Sequence, residues 1–230
     1  MRRNFYLTIL PGILLLAWSV ASAQTAPPPP AAAPAGHDYA AEYAATLKLV
    51  QQGDLTGDLR AFRIAGILAS GGHGTVKEGG DRAAFRKLAE SRDFQDALDS
   101  ANQALARNYA SIVNHFDAMV ACQALQKTEE AAGHEKLLNA LLDSIQKSGD
   151  GKSPNTAWFV VTTTEEYVFL SRILGLKAKS QKFSQAEGHF FDLLEVFDPK
   201  TNESRSVWFN TDVDLGGYRP PDQGKGGSVH

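Results

Sequence analysis

Trp158-Phe159-Val160-Val161-Thr162 decides the fold, because the spacing of the apolar residues changes at this stretch. The continuous run of aromatic and β-branched residues is typical of a strand that is covered on both faces. Upstream, from Tyr39 to Ser148, apolar residues recur at the helical spacing. One wide apolar face there comprises Leu137, Leu138, Leu141, Leu142 and Ile145. Helices first and strands afterwards indicate an α+β fold.

The second half is predicted to hold a short helix over 165–174 and three further strands. These strands cover about 178–184, 189–197 and 205–213. The segment Asp198–Asn202 has the composition of a turn and predicts a hairpin between the last two strands. The sequence therefore predicts a helical region over 38–148, packed on a small, mainly antiparallel sheet region over 149–218.

The helical region carries a faint internal period of 34 residues. Three pairs of positions that show the period are Ala84 and Ala118, Leu88 and Cys122, and Ala97 and Ala131. The segment 93–98 and the small residues after it are similar to the second helix of a tetratricopeptide repeat, where small side chains let paired helices approach closely. The likeness covers about two repeats, over 78–145, and a generic helical bundle is the alternative. Cys122 is predicted to be a buried small apolar residue.

The first 23 residues have the features of a signal peptide. Arg2 and Arg3 precede an apolar run from Phe5 to Val20, and Ala21-Ser22-Ala23 fits a cleavage site. A retained membrane anchor is the alternative, but the run is shorter than the roughly 18–20 residues of a spanning helix. The sequence predicts a periplasmic or secreted protein with no stable membrane anchor after cleavage, exported by the secretory or the twin-arginine route.

The two ends of the mature chain are not expected to fold. Residues 24–37 are rich in proline and alanine and predict an extended linker, and residues 219–230 predict a disordered tail. The formal net charge of −3 on 230 residues does not favour binding to nucleic acid. The single cysteine excludes an intrachain disulfide.

Gly149-Asp150-Gly151-Lys152-Ser153 looks like the end of a phosphate-binding loop, but Gln146 stands where that pattern needs its first glycine. A helix precedes the stretch and a strand follows it, so the amides are not expected to converge on a phosphate. Gly149 is predicted to end the long helix. Asp150 and Ser153 are predicted to supply acceptors for the turn that enters the sheet.

Glu165 and Glu166 form an adjacent acidic pair at the start of the predicted short helix. Adjacent residues in the first turn of a helix do not face each other, so the two carboxyl groups are not expected to converge on one substrate. Acidic side chains in a first turn complement the helix dipole, so a structural role is favoured over acid–base catalysis. Thr163 and Glu166 fit a capping box. His115 and His134 approach each other only through folding, so no metal site is predicted.

Other polar residues are candidates for a binding surface. Four of them lie on the predicted strands: Asp192, Glu195, Asn210 and Asp212. These residues either line a concave sheet face together with Trp208 or form the solvated face of the sheet. On the helical half, Arg63 follows Arg60 by three residues. These arginines either bind an anionic group or pair with Asp54 and Asp58.

Residues from Ser148 onward resemble an uncharacterised bacterial family, domain of unknown function 4919. The likeness rests on Ser148–Pro154, Phe159-Val160-Val161, Glu166-Tyr167, Leu174-Gly175-Leu176, and Trp208-Phe209-Asn210 with Asp212. Upstream, Asp58-Leu59 with Arg63, and the stretch from Phe94 to Tyr109, also fit, so the likeness extends over about 40–215. It implies a tetratricopeptide-like half joined to a small sheet in an exported protein, and it implies no activity or functional residues.

Two functions follow as hypotheses. The first is a non-enzymatic protein- or peptide-binding module of the bacterial envelope that uses a concave surface of the helical half. The alternative is a hydrolase or small-ligand binder with its site at the Asp150–Ser153 turn and the adjacent sheet. The candidate binding residues are Arg63, Asp150, Lys152, Ser153, Glu166, Trp208 and Asn210; no catalytic residue, metal or cofactor is predicted.

Overall fold

The computed structural model describes residues 37–71 and 74–219. The predicted signal peptide lies outside these ranges, as do nearly all of the predicted linker and tail. Six helices come first: α1 (Tyr39–Gln51), α2 (Leu59–Ala69), α3 (Gly74–Glu90), α4 (Phe94–Arg107), α5 (Ile112–Ala124) and α6 (Thr128–Gln146). No helix in the described ranges has the length and apolar character needed to cross a membrane.

Acceptor side chains fix where three of these helices begin. Asp38 and Asp58 each accept a hydrogen bond, at 2.9 Å, from the amide three residues on, and Ser111 does the same at 3.2 Å. Such N-caps satisfy amides that have no partner within the helix, and each is worth about 1 kcal/mol.

The helix pairs α3–α4 and α5–α6 are joined by two turns of the same geometry, 34 residues apart. The second turn residue has a positive φ in both, 62° at Arg92 and 60° at Gln126. The next amide donates to the carbonyl of Leu88 in one turn and of Cys122 in the other, at 2.9 Å in each case. The 34-residue period is thus present in the backbone as well as in the sequence. Cys122 is buried between the helices, as predicted.

The sheet has four strands: β1 (Trp158–Phe159), β2 (Lys177–Ala186), β3 (His189–Asp198) and β4 (Glu203–Asn210). Their order is β1-β4-β3-β2, with β1 parallel to β4 and the other pairs antiparallel. The α+β fold is confirmed. The first strand is shorter than the predicted 158–162, because the chain leaves the sheet at Val160 to enter the next helix, although Val160 and Val161 remain buried.

The helix α7 (Thr163–Phe169) continues into a π-helical turn, Leu170–Leu174, and stops at Gly175. Gly175 has φ 67°, so the predicted glycine stop is confirmed. The predicted capping box is wrong. The N-cap is Thr162, and neither carboxyl oxygen of Glu166 meets a hydrogen-bond donor.

The short helix α7 lies between the two halves of the fold. It contacts α3 and α5, which are the first helices of the two pairs. Its Phe169 stacks edge-on against Trp158 and Phe209 of the sheet, with ring centroids 5.0 and 6.1 Å apart. The main core is therefore continuous from the helices through α7 to the strands.

Candidate functional site

Two glycines let the turn after α6 pack tightly against the start of the sheet. A Cβ on Gly149 would collide with the carbonyl of Thr156, and one on Gly151 would collide with the ring of Trp158. The amides of Asp150 and Gly151 both donate to the Thr156 oxygen, at 2.9 and 2.8 Å. Both are satisfied within the chain and do not converge on a phosphate.

The three predicted binding residues of this turn contact the turn itself. Asp150 accepts from the Lys152 amide at 3.0 Å and forms an ion pair with its ammonium group at 3.1 Å. Hydrogen bonds from Thr156 and Lys152 lower the pKa of Asp150 to about 2. The Ser153 hydroxyl lies 3.0 Å from that of Thr156. Asp150 therefore supplies the predicted acceptor, and Lys152 projects into solvent with 82% of its side chain exposed.

A cleft of about 450 Å³ opens beside this turn, between α2, β1 and the β2–β3 connection. This volume is within the range of small-molecule sites. Its wall carries six polar side chains and the apolar rings of Phe159 and Phe191; the polar ones are Arg60, Ser148, Asn155, Glu187, His189 and Asn210. Of the predicted binding residues, only Asn210 lines it.

His189 and Asp212 form a hydrogen-bonded pair at this cleft. Nδ1 of His189 lies 2.6 Å from Oδ2 of Asp212. The same oxygen accepts from Nδ2 of Asn210 at 3.0 Å, and Oδ1 accepts from the Phe190 amide at 2.7 Å. Three donors thus fix a carboxylate whose side chain is only 6% exposed. With Nδ1 donating to Asp212, Nε2 is the ring nitrogen of His189 left for a ligand.

Arg60 on α2 provides a cationic group at the wall of the cleft. Its guanidinium lies 4.0 Å from the centroid of the Phe159 ring, which it covers. Across the described ranges, Arg60 forms no ion pair with a carboxylate. An anion that enters the cleft would therefore meet a guanidinium whose hydrogen-bond donors are not already taken by an acid.

A second hollow of about 430 Å³ adjoins the cleft and shares Arg60 and Ser148 with it. Its wall includes Asp58 and Asp143. Asp58 caps α2, and Asp143 forms an ion pair with Lys147 at 2.5 Å. The carboxylates make this hollow the less favourable of the two for an anion.

Arg63 does not reach the cleft, although Arg60 is only three residues away. It is completely buried, with Nη1 2.5 Å from Oε2 of Glu165 and Nε 3.1 Å from the hydroxyl of Ser144. The alternative that Arg63 pairs with Asp54 or Asp58 is wrong, and the Arg63 guanidinium is not open to a ligand. Burial raises the pKa of Glu165 to about 7, although Arg63 acts against the shift.

Glu166 is also fully buried, and its neighbour is Asp192 on β3. Burial and then the Asp192 charge raise the pKa of Glu166 well above its usual range. Asp192 accepts from Gln181 at 2.6 Å. Glu166 therefore does not share a cavity with the exposed Lys152.

The concave sheet face, one of the two alternatives for the polar strand residues, is not formed by Asp192 and Trp208 together. Asp192 pairs with Phe209, and Trp208 pairs with Leu193, so Asp192 and Trp208 lie on opposite faces of the sheet. Trp208 is half-buried and meets Phe191 edge-on, with centroids 6.0 Å apart. Asn210 shares the Trp208 face.

Glu78 on α3 links α7 to the helix pairs through hydrogen bonds. Its two carboxyl oxygens accept from the hydroxyls of Ser111 on the α5 side, at 2.6 Å, and of Thr162 and Thr164 at the start of α7, at 2.7 and 2.5 Å. All four side chains lie in the interior or at its edge. The sides of α3 and α5 that face the sheet are therefore covered by the chain's own α7.

His115 and His134 do approach each other in the folded chain. Their Nδ1 atoms are 3.0 Å apart, and Nε2 of His115 donates to the carbonyl of Tyr109 at 2.9 Å. His115 must therefore accept at Nδ1 from His134. Among the described residues, no three His, Cys, Asp or Glu side chains are grouped so that they could hold a metal ion.

Comparison with protein families gives one result. The family model described as "Domain of unknown function (DUF4919)" matches residues 74–218, which is more than half of the chain. The chain belongs to this family. No curated protein matches the chain, and no solved structure does.

The DUF4919 match begins at residue 74, whereas the resemblance was expected from about residue 40. It contains His189, Asn210 and Asp212, and it omits α1 and α2. The cleft is thus built from two parts of the chain: the family region supplies the histidine and its acid, and the preceding helix supplies Arg60.

Sequence patterns missed His189 and did not distinguish Arg60 from Arg63. His189 has no neighbour at a ligand spacing, and Arg60 looks the same as Arg63. The predicted hairpin contained a signal for the pair of His189 and Asp212. A turn that pairs Asp198 with Glu203 also pairs Phe191 with Asn210. The same register, continued by two residues, brings His189 opposite Asp212.

Proposed function

We propose that this DUF4919 protein is exported and binds a small anionic ligand in the cleft between α2 and the sheet. The observation that carries the proposal is that Arg60, which forms no ion pair with a carboxylate among the described residues, lines a cleft of about 450 Å³ together with two apolar rings. A carboxylate or phosphate would pair with the Arg60 guanidinium and lie against the Phe159 and Phe191 rings.

The test is isothermal titration calorimetry with succinate and inorganic phosphate as separate probes. We expect Arg60→Gln to weaken binding of the preferred probe about tenfold or more, the usual scale for losing a charge-assisted hydrogen bond. Arg205→Gln is the matched control, because Arg205 is an exposed arginine on the distant half of β4. Equal affinity in wild type and Arg60→Gln, or no heat from either probe at millimolar concentration, would contradict the proposal.

A peptide-binding groove on the helix pairs is supported less well. In a tetratricopeptide-like arrangement the first helices of successive pairs lie side by side, and here α3 and α5 are covered by α7. A protein partner on the two helix pairs would have to use faces that α7 does not cover.

Export is proposed from the signal-like first 23 residues. N-terminal sequencing of the protein recovered from the periplasm or the medium should give Gln24 as the first residue. Recovery of the intact chain beginning at Met1 would contradict cleavage.

A further inference from the structure

We infer that the cleft hydrolyses a small ester that carries an anionic group, with His189 as the general base and Asp212 as the residue that positions it. This inference rests on the proposed anion binding at Arg60 and adds a reaction to it. It follows from the geometry of His189, Asp212 and Asn210 at the wall of a cleft that also has a cationic anchor.

The His189 ring is held in one tautomer. Asp212 is buried and cannot donate a proton to the ring while it is ionised, so the 2.6 Å contact places the proton on Nδ1. Asp212 is fixed in turn by Asn210 at 3.0 Å and by the Phe190 amide at 2.7 Å. An acid that orients a histidine and leaves Nε2 basic is the arrangement that general-base catalysis requires.

Water is the attacking group, because the cleft offers no free nucleophile among its described residues. Ser148 is the one hydroxyl residue on its wall. That hydroxyl donates to the Ile145 carbonyl at 2.6 Å and accepts from the Phe159 amide at 2.8 Å, so its Oγ is part of the backbone network.

The step balances without a further reagent. The oxygen of a water molecule bonds to the acyl carbon while its proton passes to Nε2 of His189, and the carbonyl oxygen becomes negatively charged. The intermediate then breaks the bond to the leaving alkoxide, which takes the proton from Nε2. The products are a carboxylic acid and an alcohol, and His189 returns to its neutral form.

The substrate class follows from the strength of this machinery. A single general base contributes about 10²–10⁴-fold. In the absence of a protein nucleophile, that is sufficient for esters, whose leaving groups depart readily, and not for peptide bonds. The anionic group of the substrate would be bound by Arg60, and the cleft volume restricts the substrate to a small molecule.

The test compares two chromogenic esters with the same leaving group: mono-(4-nitrophenyl) adipate, which is anionic, and 4-nitrophenyl acetate, which is neutral. We expect a higher kcat/KM for the adipate ester, and Arg60→Gln should remove this preference. His189→Gln should lower kcat about 10²-fold or more. The control His37→Gln changes a histidine at the start of α1, outside the cleft, and should leave both rates unchanged.

The positioning role of Asp212 is tested by measurements that a purely structural role of this residue would leave unchanged. Asp212→Asn should lower kcat while KM for the adipate ester stays the same. The ¹⁵N chemical shifts of the His189 ring should show that the proton has moved from Nδ1 to Nε2, since the asparagine amide can donate to Nδ1.

The outcomes separate the two proposals. Succinate binding that depends on Arg60, together with ester hydrolysis that His189→Gln leaves unchanged, overturns the hydrolytic role and keeps the ligand site. If the wild-type protein neither binds the anionic probes nor hydrolyses the esters, both proposals are overturned. A rate that His37→Gln and His189→Gln lower equally would assign the hydrolysis to surface histidines and overturn the inference.

Discussion

Arg63 on α2 and Glu165 on α7 form an ion pair from which solvent is excluded, with Nη1 2.5 Å from Oε2. The same Glu165 oxygen accepts from the Val161 amide at 2.9 Å. The pair joins the helix that precedes the matched family region to the helix at the centre of the fold. Each charge has lost its hydration, so each depends on the other.

Removal of one member of this pair should therefore destabilise the protein strongly. We expect Arg63→Leu to lower the free energy of unfolding by about 3–5 kcal/mol, because Glu165 is left buried without its partner. Urea denaturation followed by circular dichroism measures the effect. Arg60→Leu is the matched control on the same helix, and loss of its contact with Phe159 should cost no more than about 1 kcal/mol. Equal losses in the two variants would contradict the assignment.

The buried carboxyl pair predicts a loss of stability at alkaline pH. The pKa of Glu166 is raised above its ordinary value of 4.5 in the folded state, so the folded protein retains a proton that the unfolded chain releases. The stabilising contribution is complete below pH 4.5 and is lost as the pH rises through the raised pKa.

Glu166→Gln should make the protein more stable than the wild type at pH 8 and change its stability little at pH 4.5. Urea denaturation at the two pH values measures this difference. The control Val168→Ala removes buried carbon from the same helix and should lower stability equally at both. A Glu166→Gln effect that is the same at both pH values would show that Glu166 is ionised in the folded protein.

His115 predicts the opposite trend on the acid side. Burial lowers the pKa of His115 to about 4 from the ordinary 6.5, so the unfolded chain takes up a proton before the folded one does. Its stabilising contribution is present above pH 6.5 and is lost as the pH falls toward 4, by about 3 kcal/mol in total.

His115→Gln should therefore flatten the dependence of stability on pH between 6.5 and 4, whatever its effect at neutral pH. Met119→Leu, a substitution at a buried residue of the same helix that does not titrate, should shift the curve without changing its slope. An unchanged slope in His115→Gln would contradict the link.

Gly151 and Gly175 have nearly the same backbone conformation, so substituting each by alanine distinguishes the cost of backbone strain from the cost of a steric clash. Gly151 has φ 66° and Gly175 has φ 67°, but only Gly151 lies against another group, the ring of Trp158. We expect Gly175→Ala to cost about 1–2 kcal/mol, the penalty of a Cβ in the left-handed region. Gly151→Ala should cost clearly more, measured by urea denaturation. Equal costs would mean that the Trp158 ring moves freely aside.

The elements of the fold followed from local patterns, and the cleft did not. The turn at Asp198–Asn202 and the glycine stop at 175 were predictable, because each depends on residues only a few positions apart. The polar residues were harder. Asp150 was correctly expected to accept a hydrogen bond within its turn. Glu166 was expected to complete a capping box with Thr163 or to line a binding site, and it lies in the core beside Asp192.

The sequence by itself determined where helices and strands form, since the apolar period, the capping side chains and the 34-residue repeat act within a few turns of the chain. Only the tertiary structure decided which charged residues face solvent, a cleft or each other. Arg63 and Glu165 are 102 residues apart, and Arg60, which looks the same as Arg63 in the sequence, remains at the surface. The cost of burying a charge is recovered only from a partner, and that partner is brought near by the packing of α2 on α7 and the sheet.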